Sequence, residues 1–160
     1  MKARIYFKAI LFILFGVSQS IGQGREAFFE ILSSNSEATL DKEIARLDSG
    51  KPTSLTKVRK GALLMKKAGF VKGAGSKVKV FKSGAELLET QIRENPDNAE
   101  YRFIRLTIQE HAPGILKYNK NLKEDKELIV STYSELQEDL KKVIRNYSVD
   151  SKVIKTVDLQ

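Results

Sequence analysis

Apolar positions recur with helical spacing along almost the whole chain. Residues 25–33, "REAFFEILS", place Phe28, Phe29, Ile31 and Leu32 on a short helix. Ser36 then stands where a side-chain oxygen can accept from a free helix-end amide, and Glu37 lies in the first turn. Leu40, Ile44 and Leu47 follow at i, i+4, i+7, and Gly50 ends the segment. Pro52, Thr53 and Ser54 open the next segment, where Leu55, Val58, Ala62 and Met65 repeat at 3-4-3 spacing before Gly69. These two segments predict an antiparallel helical hairpin. A glycine-rich connection, Gly69 to Gly75, leads to Val78, Phe81, Ala85, Leu88 and Ile92 at 3-4-3-4 spacing; the alternation in "KVKV" is too short to impose a strand's period of two.

Asn95-Pro96 stops that helix, because the residue before a proline disfavours the α region. Asn98 is placed to cap the next one, Ala99 to His111. At about 100° per residue, Ala99, Phe103 and Leu106 group on one side, and Tyr101, Ile104 and Ile108 on the opposite side. A helix apolar on two sides is buried on two sides, so this one should run through the middle of the domain. Leu122, then Ile129, Tyr133, Leu136, Leu140, Val143 and Tyr147, predict one long amphipathic helix. Glu124, Asp125 and Glu127 lie near its start and Lys141, Lys142 and Arg145 near its end, as the helix dipole favours. The expected fold is all-α, with about six mostly antiparallel helices in a helical-hairpin array or an irregular bundle.

Composition supports a folded core: 41% of residues are hydrophobic and 30% charged. One helical domain, 23–150, is expected, with 151–160 as a C-terminal tail. The first 22 residues read as an export leader. Lys2, Arg4 and Lys8 precede the uncharged run Ala9 to Val17, and Ser20 and Gly22 supply small residues before a cleavage point at Gln23. The apolar run is shorter than the roughly 20 residues of a spanning helix. The expected destination is the periplasm or exterior of a Gram-negative type of cell. The chain has no cysteine, which removes disulfides, thiolate catalysis and cysteine metal sites together.

The segment "GAELLETQIRENPDNAEYRFIRLTIQ" resembles the junction between two tetratricopeptide repeats, with Ala85, Pro96, Ala99 and Tyr101 at the matching positions. The resemblance spans about Val80 to Ala112. It implies an interaction module that holds a protein or peptide, with no reaction and no cofactor.

The residues themselves offer few reactive groups. "GFVKGAGSK" has glycines near a lysine, but its order is wrong for a phosphate loop and a helix precedes it. His111 is the only histidine, so a two-histidine metal site is impossible. Beside Glu110, at a helix C-terminus, it needs no catalytic explanation; no catalytic residue and no metal site is expected. Arg102, Arg105 and Gln109 form a polar stripe on the helix expected to be central. They either pair with carboxylates such as Glu89 or Glu135, or face a groove, and with Tyr101 they are the candidates for contacting a partner.

The largest charge feature lies elsewhere. Between Ser49 and Ala85 there is no acidic residue, but ten basic ones: Lys51, Lys57, Arg59, Lys60, Lys66, Lys67, Lys72, Lys77, Lys79 and Lys82. The chain carries +8; removing the three charges of the leader leaves +5, and removing these ten leaves −5. Lys57, Arg59, Lys60, Lys66, Lys67, Lys72, Lys77 and Lys79 are the candidates for docking on an anionic lipid or glycan surface. The alternative is a solvated helix face. Nucleic acid is not expected, given the export leader and the few aromatics for base stacking.

Overall fold

The computed structural model describes residues 24–159; the leader expected over 1–22 lies outside them. Seven α-helices lie among the described residues, with no strand: α1 (24–33), α2 (Glu37–Ser49), α3 (Ser54–Lys67), α4 (Ala74–Glu94), α5 (Ala99–His111), α6 (Leu122–Thr132) and α7 (Glu138–Ser148). Short 3-10 turns occupy Gly114–Leu116, Tyr133–Glu135 and Thr156–Asp158.

Local chemistry sets the helix starts. The Ser36 hydroxyl accepts from the Thr39 amide at 3.3 Å. Thr53 and Thr56 form a reciprocal capping box, amide to hydroxyl at 2.8 and 3.1 Å. The Asn98 side chain accepts from the Tyr101 amide at 3.1 Å, restarting the chain after Pro96. Helix α4 starts at Ala74, a turn before its apolar repeat, because Gly73 adopts the left-handed φ of 83° that reverses the chain.

Helices α3 and α4 make the most extensive helix pair and cross at two glycines. A Cβ on Gly61 would sit 2.7 Å from the Gly84 carbonyl oxygen, and one on Gly84 would sit 2.9 Å from the Met65 amide nitrogen. The two backbones therefore touch where any side chain would hold them apart. An overhang follows. At about 1.5 Å per residue, α4 runs about 15 Å from its start to this crossing, whereas α3 continues only about 9 Å beyond it. The first turns of α4 project past the end of α3.

Helix α5 is the axle. Every residue from Ala99 to Gln109 is buried. Tyr101, Ile104 and Ile108 enter one apolar cluster with Phe28, Leu40, Val58, Leu63 and Leu88; Phe103 and Leu106 enter a second with Ile129, Tyr133, Leu140, Ile144 and Ile154. Two opposed apolar faces thus became two cores.

The single long helix expected from Leu122 to Tyr147 is instead two helices. The chain tightens at Tyr133–Glu135 and turns extended at Leu136 (ψ 154°). A straight helix over this span would be about 40 Å long against about 20 Å for α5, so half its stripe would face water. Folding it back lays Ile129 and Tyr133 from one half, and Leu140, Val143 and Ile144 from the other, on the same patch of α5. The segment after 150, expected as a tail, packs into this core through the fully buried Ile154.

Candidate functional site

The polar stripe of α5 is internal. Arg105 holds Asp125 with two nitrogens, at 2.8 and 2.6 Å, and reaches Glu89 at 2.8 Å. Arg102 bonds Glu124 at 2.7 Å, Asp125 at 3.1 Å and the Pro96 carbonyl at 2.8 Å. Asp125 has no exposed surface. Of the two roles the sequence left open for the arginines, pairing with carboxylates is the one seen; Glu89 is among the partners, but Glu135 is not. Gln109 donates weakly to Asn121 at 3.4 Å and Tyr101 packs in the first core. Arg102, Arg105, Gln109 and Tyr101 are each only 3 to 8 % exposed and so present little surface to a partner.

The network extends to Tyr118, whose hydroxyl donates to Glu89; burial, then the Glu89 charge, pushes that phenol well above its ordinary value. A second network ties α1 to α5 and α7. Arg25 donates to Glu100 at 3.0 and 2.9 Å and pairs with Asp139, while Arg59 meets Glu100 at 3.1 Å.

Glu110 and His111 bond to different partners. The Glu110 carboxylate accepts from the Tyr147 hydroxyl at 2.7 Å, the Ser151 hydroxyl at 2.6 Å and the Lys152 amide, anchoring the segment after α7. Burial pushes its pKa up, but these three donors and the nearby His111 outweigh that and hold it below the ordinary carboxylate value. The His111 Nδ1 lies 2.9 Å from the Thr107 carbonyl, one turn back on its own helix. No group of three or more His, Asp or Glu side chains arranged to hold a metal occurs among the described residues.

The basic stretch divides into paired and unpaired charges. Arg59, Lys60 and Lys67 are tied to Glu100, Asp48 and Asp41. Lys57, Lys72, Lys77, Lys79 and Lys82 are exposed and Lys66 half-buried, and none of these six makes an ion pair with a described carboxylate.

The overhang of α4 opens a groove of about 1170 Å³. One wall is the start of α4, with Lys77, Val78, Phe81 and Lys82, joined by Met65 and Lys66 at the end of α3. The floor comes from Phe29 and Leu32 of α1 and Ile108 of α5. The lining is completed by Ile115 and Leu116 and by Tyr147 and Asp150. Two of the four large apolar side chains exposed among the described residues stand at the groove: Val78, 36 % exposed, and Ile115, 89 % exposed. Apolar surface is thus left open beside a polar rim.

Sequence reasoning did not assemble this groove, since its walls come from segments up to about 120 residues apart. One signal was present. "PGIL" puts Ile115 and Leu116 in a Pro/Gly-bounded loop with no helical stripe to bury them. Comparisons with known proteins place nothing beside it: no family model, curated protein or solved structure matches this chain. No helix among the described residues is long and apolar enough to cross a membrane.

Proposed function

We propose that this protein is a non-catalytic binding module that receives the apolar part of a partner in the groove between α4 and α5. The observation that carries the reading is the groove itself: open, mostly apolar, and lined by α1, α3, α4, α5 and α7 together with the connecting segments at 112–116 and after α7. The packing order supports a helical-array reading of the kind the tetratricopeptide resemblance implies. Hairpins α3/α4 and α5/α6 are the two closest helix pairs, and α3 packs against α5. Starts of α3 and α5 are 45 residues apart (Ser54 to Ala99), longer than the repeat's about 34, so the proposal concerns the manner of packing and not membership. The leader pattern supports a working place outside the cytoplasm; N-terminal sequencing of the exported protein would overturn that on finding Met1 retained.

The reading is tested with a neutral solvatochromic dye titrated into the full chain. Saturable uptake at one site is expected, weakened at least about tenfold by Val78→Glu with Ile115→Glu, which puts two charges against the dye. Absence of saturable uptake sinks it.

A second reading has one observation in its favour. Lys72, just before α4, and Lys77, Lys79 and Lys82 on its first turns are exposed and have no carboxylate partner among the described residues, charges suited to anionic lipid headgroups or glycan. Sedimentation with anionic vesicles at low and high salt decides it; no binding at low salt removes it.

A further inference from the structure

The charges around the groove are unevenly placed, and that asymmetry names a ligand. Lys66, Lys77 and Lys82 line the side formed by the end of α3 and the start of α4, and none has a carboxylate partner among the described residues. The only acidic side chain among the described residues lining the groove, Asp150, follows the end of α7, where Tyr147 and, 6.3 Å from its ring, His111 also line it. Between them the surface is side-chain hydrocarbon from Leu32, Phe81, Ile108 and Leu116.

We infer that the groove binds a single-chain anionic amphiphile, a long-chain carboxylate, with its head at Lys77 and Lys82 and its chain across Phe81 and Ile108 towards Tyr147. This rests on the groove being a binding site and adds to it the chemistry of the occupant. Three features favour this occupant. The volume, about 1170 Å³, is at or above the range of about 300–1,000 Å³ typical of small-molecule pockets, which suits a long chain more than a small polar metabolite. Ammonium groups without carboxylate partners at the end of α3 and the start of α4 attract an anionic head, the Lys77 ammonium exchanging for it a bond of 3.1 Å to the Gly69 carbonyl, and Asp150 repels it. Although polar side chains such as Asn35, Thr107, His111 and Asn146 also line the groove, most of its exposed lining is side-chain hydrocarbon, which an alkyl chain covers. A lysine, as a flexible point charge, can follow the head without holding it in a fixed fork.

The experiment is a calorimetric titration of the full-length protein with dodecanoate, dodecan-1-ol and dodecyltrimethylammonium below their aggregation limits, and with decanoate and tetradecanoate. Dodecanoate is expected to bind tighter than the alcohol by on the order of tenfold, with the cation weakest. Affinity should rise about fourfold for each added methylene, the equivalent of about 0.8 kcal/mol. Lys77→Glu with Lys82→Glu, both at exposed positions, should erase the preference for the acid over the alcohol. Added salt on the unmodified protein should weaken the acid alone, so the inference is testable even if the double variant misfolds. Equal binding of acid and alcohol, or indifference of the acid to salt, overturns the inference and leaves the groove as a neutral apolar site. If neither the alcohol nor the neutral dye binds, the groove reading falls with it.

Discussion

Around Asp125 the molecule withdraws a carboxylate from water entirely and closes two guanidinium groups over it. At the far end of the same helix, beside Ile108, it leaves an apolar groove open to solvent. The two regions share α5 and reverse the usual order of polar outside and apolar inside. A buried carboxylate is costly unless each oxygen is matched, and here Arg105 and Arg102 match both, so the region is closed and holds α5 to α6. The groove forgoes the stabilisation, about 25 cal/mol per Å², that covering its walls would add. Satisfied charge marks the joint of this protein, and uncovered hydrocarbon marks the surface proposed for contact.

The comparison is broken most directly at Asp125. Asp125→Ala leaves Arg102 and Arg105 without their shared partner and should cost about 3–5 kcal/mol. Urea denaturation measures it; a loss below about 1 kcal/mol would show the arginines finding water or Glu89 and Glu124 instead. The groove wall is the next place to press. Gly84→Ala drives a methyl group against the α3 backbone at Met65 and should cost about 1–3 kcal/mol in thermal unfolding while loosening the α4 wall, so dye uptake weakens with it. Unchanged stability would mean that the two helices part without cost.

Glu110 lies between the two regions, tying the segment after α7 beside the groove. Glu110→Gln should cost about 1 kcal/mol, the low side for bonds to a charged acceptor because the site is partly wet. Its folded pKa lies below the ordinary value of 4.5, so its contribution is complete above about 4.5 and is lost as pH falls through the lower folded value. The wild type and the variant should therefore converge in stability as pH is lowered through that range. A gap that persists in acid would refute the electrostatic origin. The smallest effect on stability belongs to the groove surface. Val78→Glu should change unfolding free energy by at most about 0.5 kcal/mol yet weaken dye uptake strongly. A large loss of stability with binding intact would make Val78 part of the core rather than of a site.

Local features were legible in the amino-acid order itself. Ser36, the Thr53 and Asn98 caps, the stop at Asn95-Pro96 and the two apolar faces of α5 depend on neighbours within a turn or two, so spacing reveals them. The arginine stripe was legible as a stripe and only partly as a network. Glu89 lies sixteen residues before Arg105 and Asp125 twenty after it, on different helices, and no periodicity joins them. The break at Tyr133 was not legible either, since the apolar stripe continues across it; only the length of α5 requires the fold-back.

By itself the sequence determined the class of fold, the ends of most helices and the uneven distribution of basic residues. Those follow from side-chain periodicity, capping chemistry and composition, all of which act over short range. Tertiary structure decided which charges are neutralised and which stay free, turning one basic stretch into three tied side chains and a set of unpaired lysines. It also decided that a groove exists at all. That depends on where two glycines let α3 and α4 touch, and hence on how far α4 overhangs its neighbour.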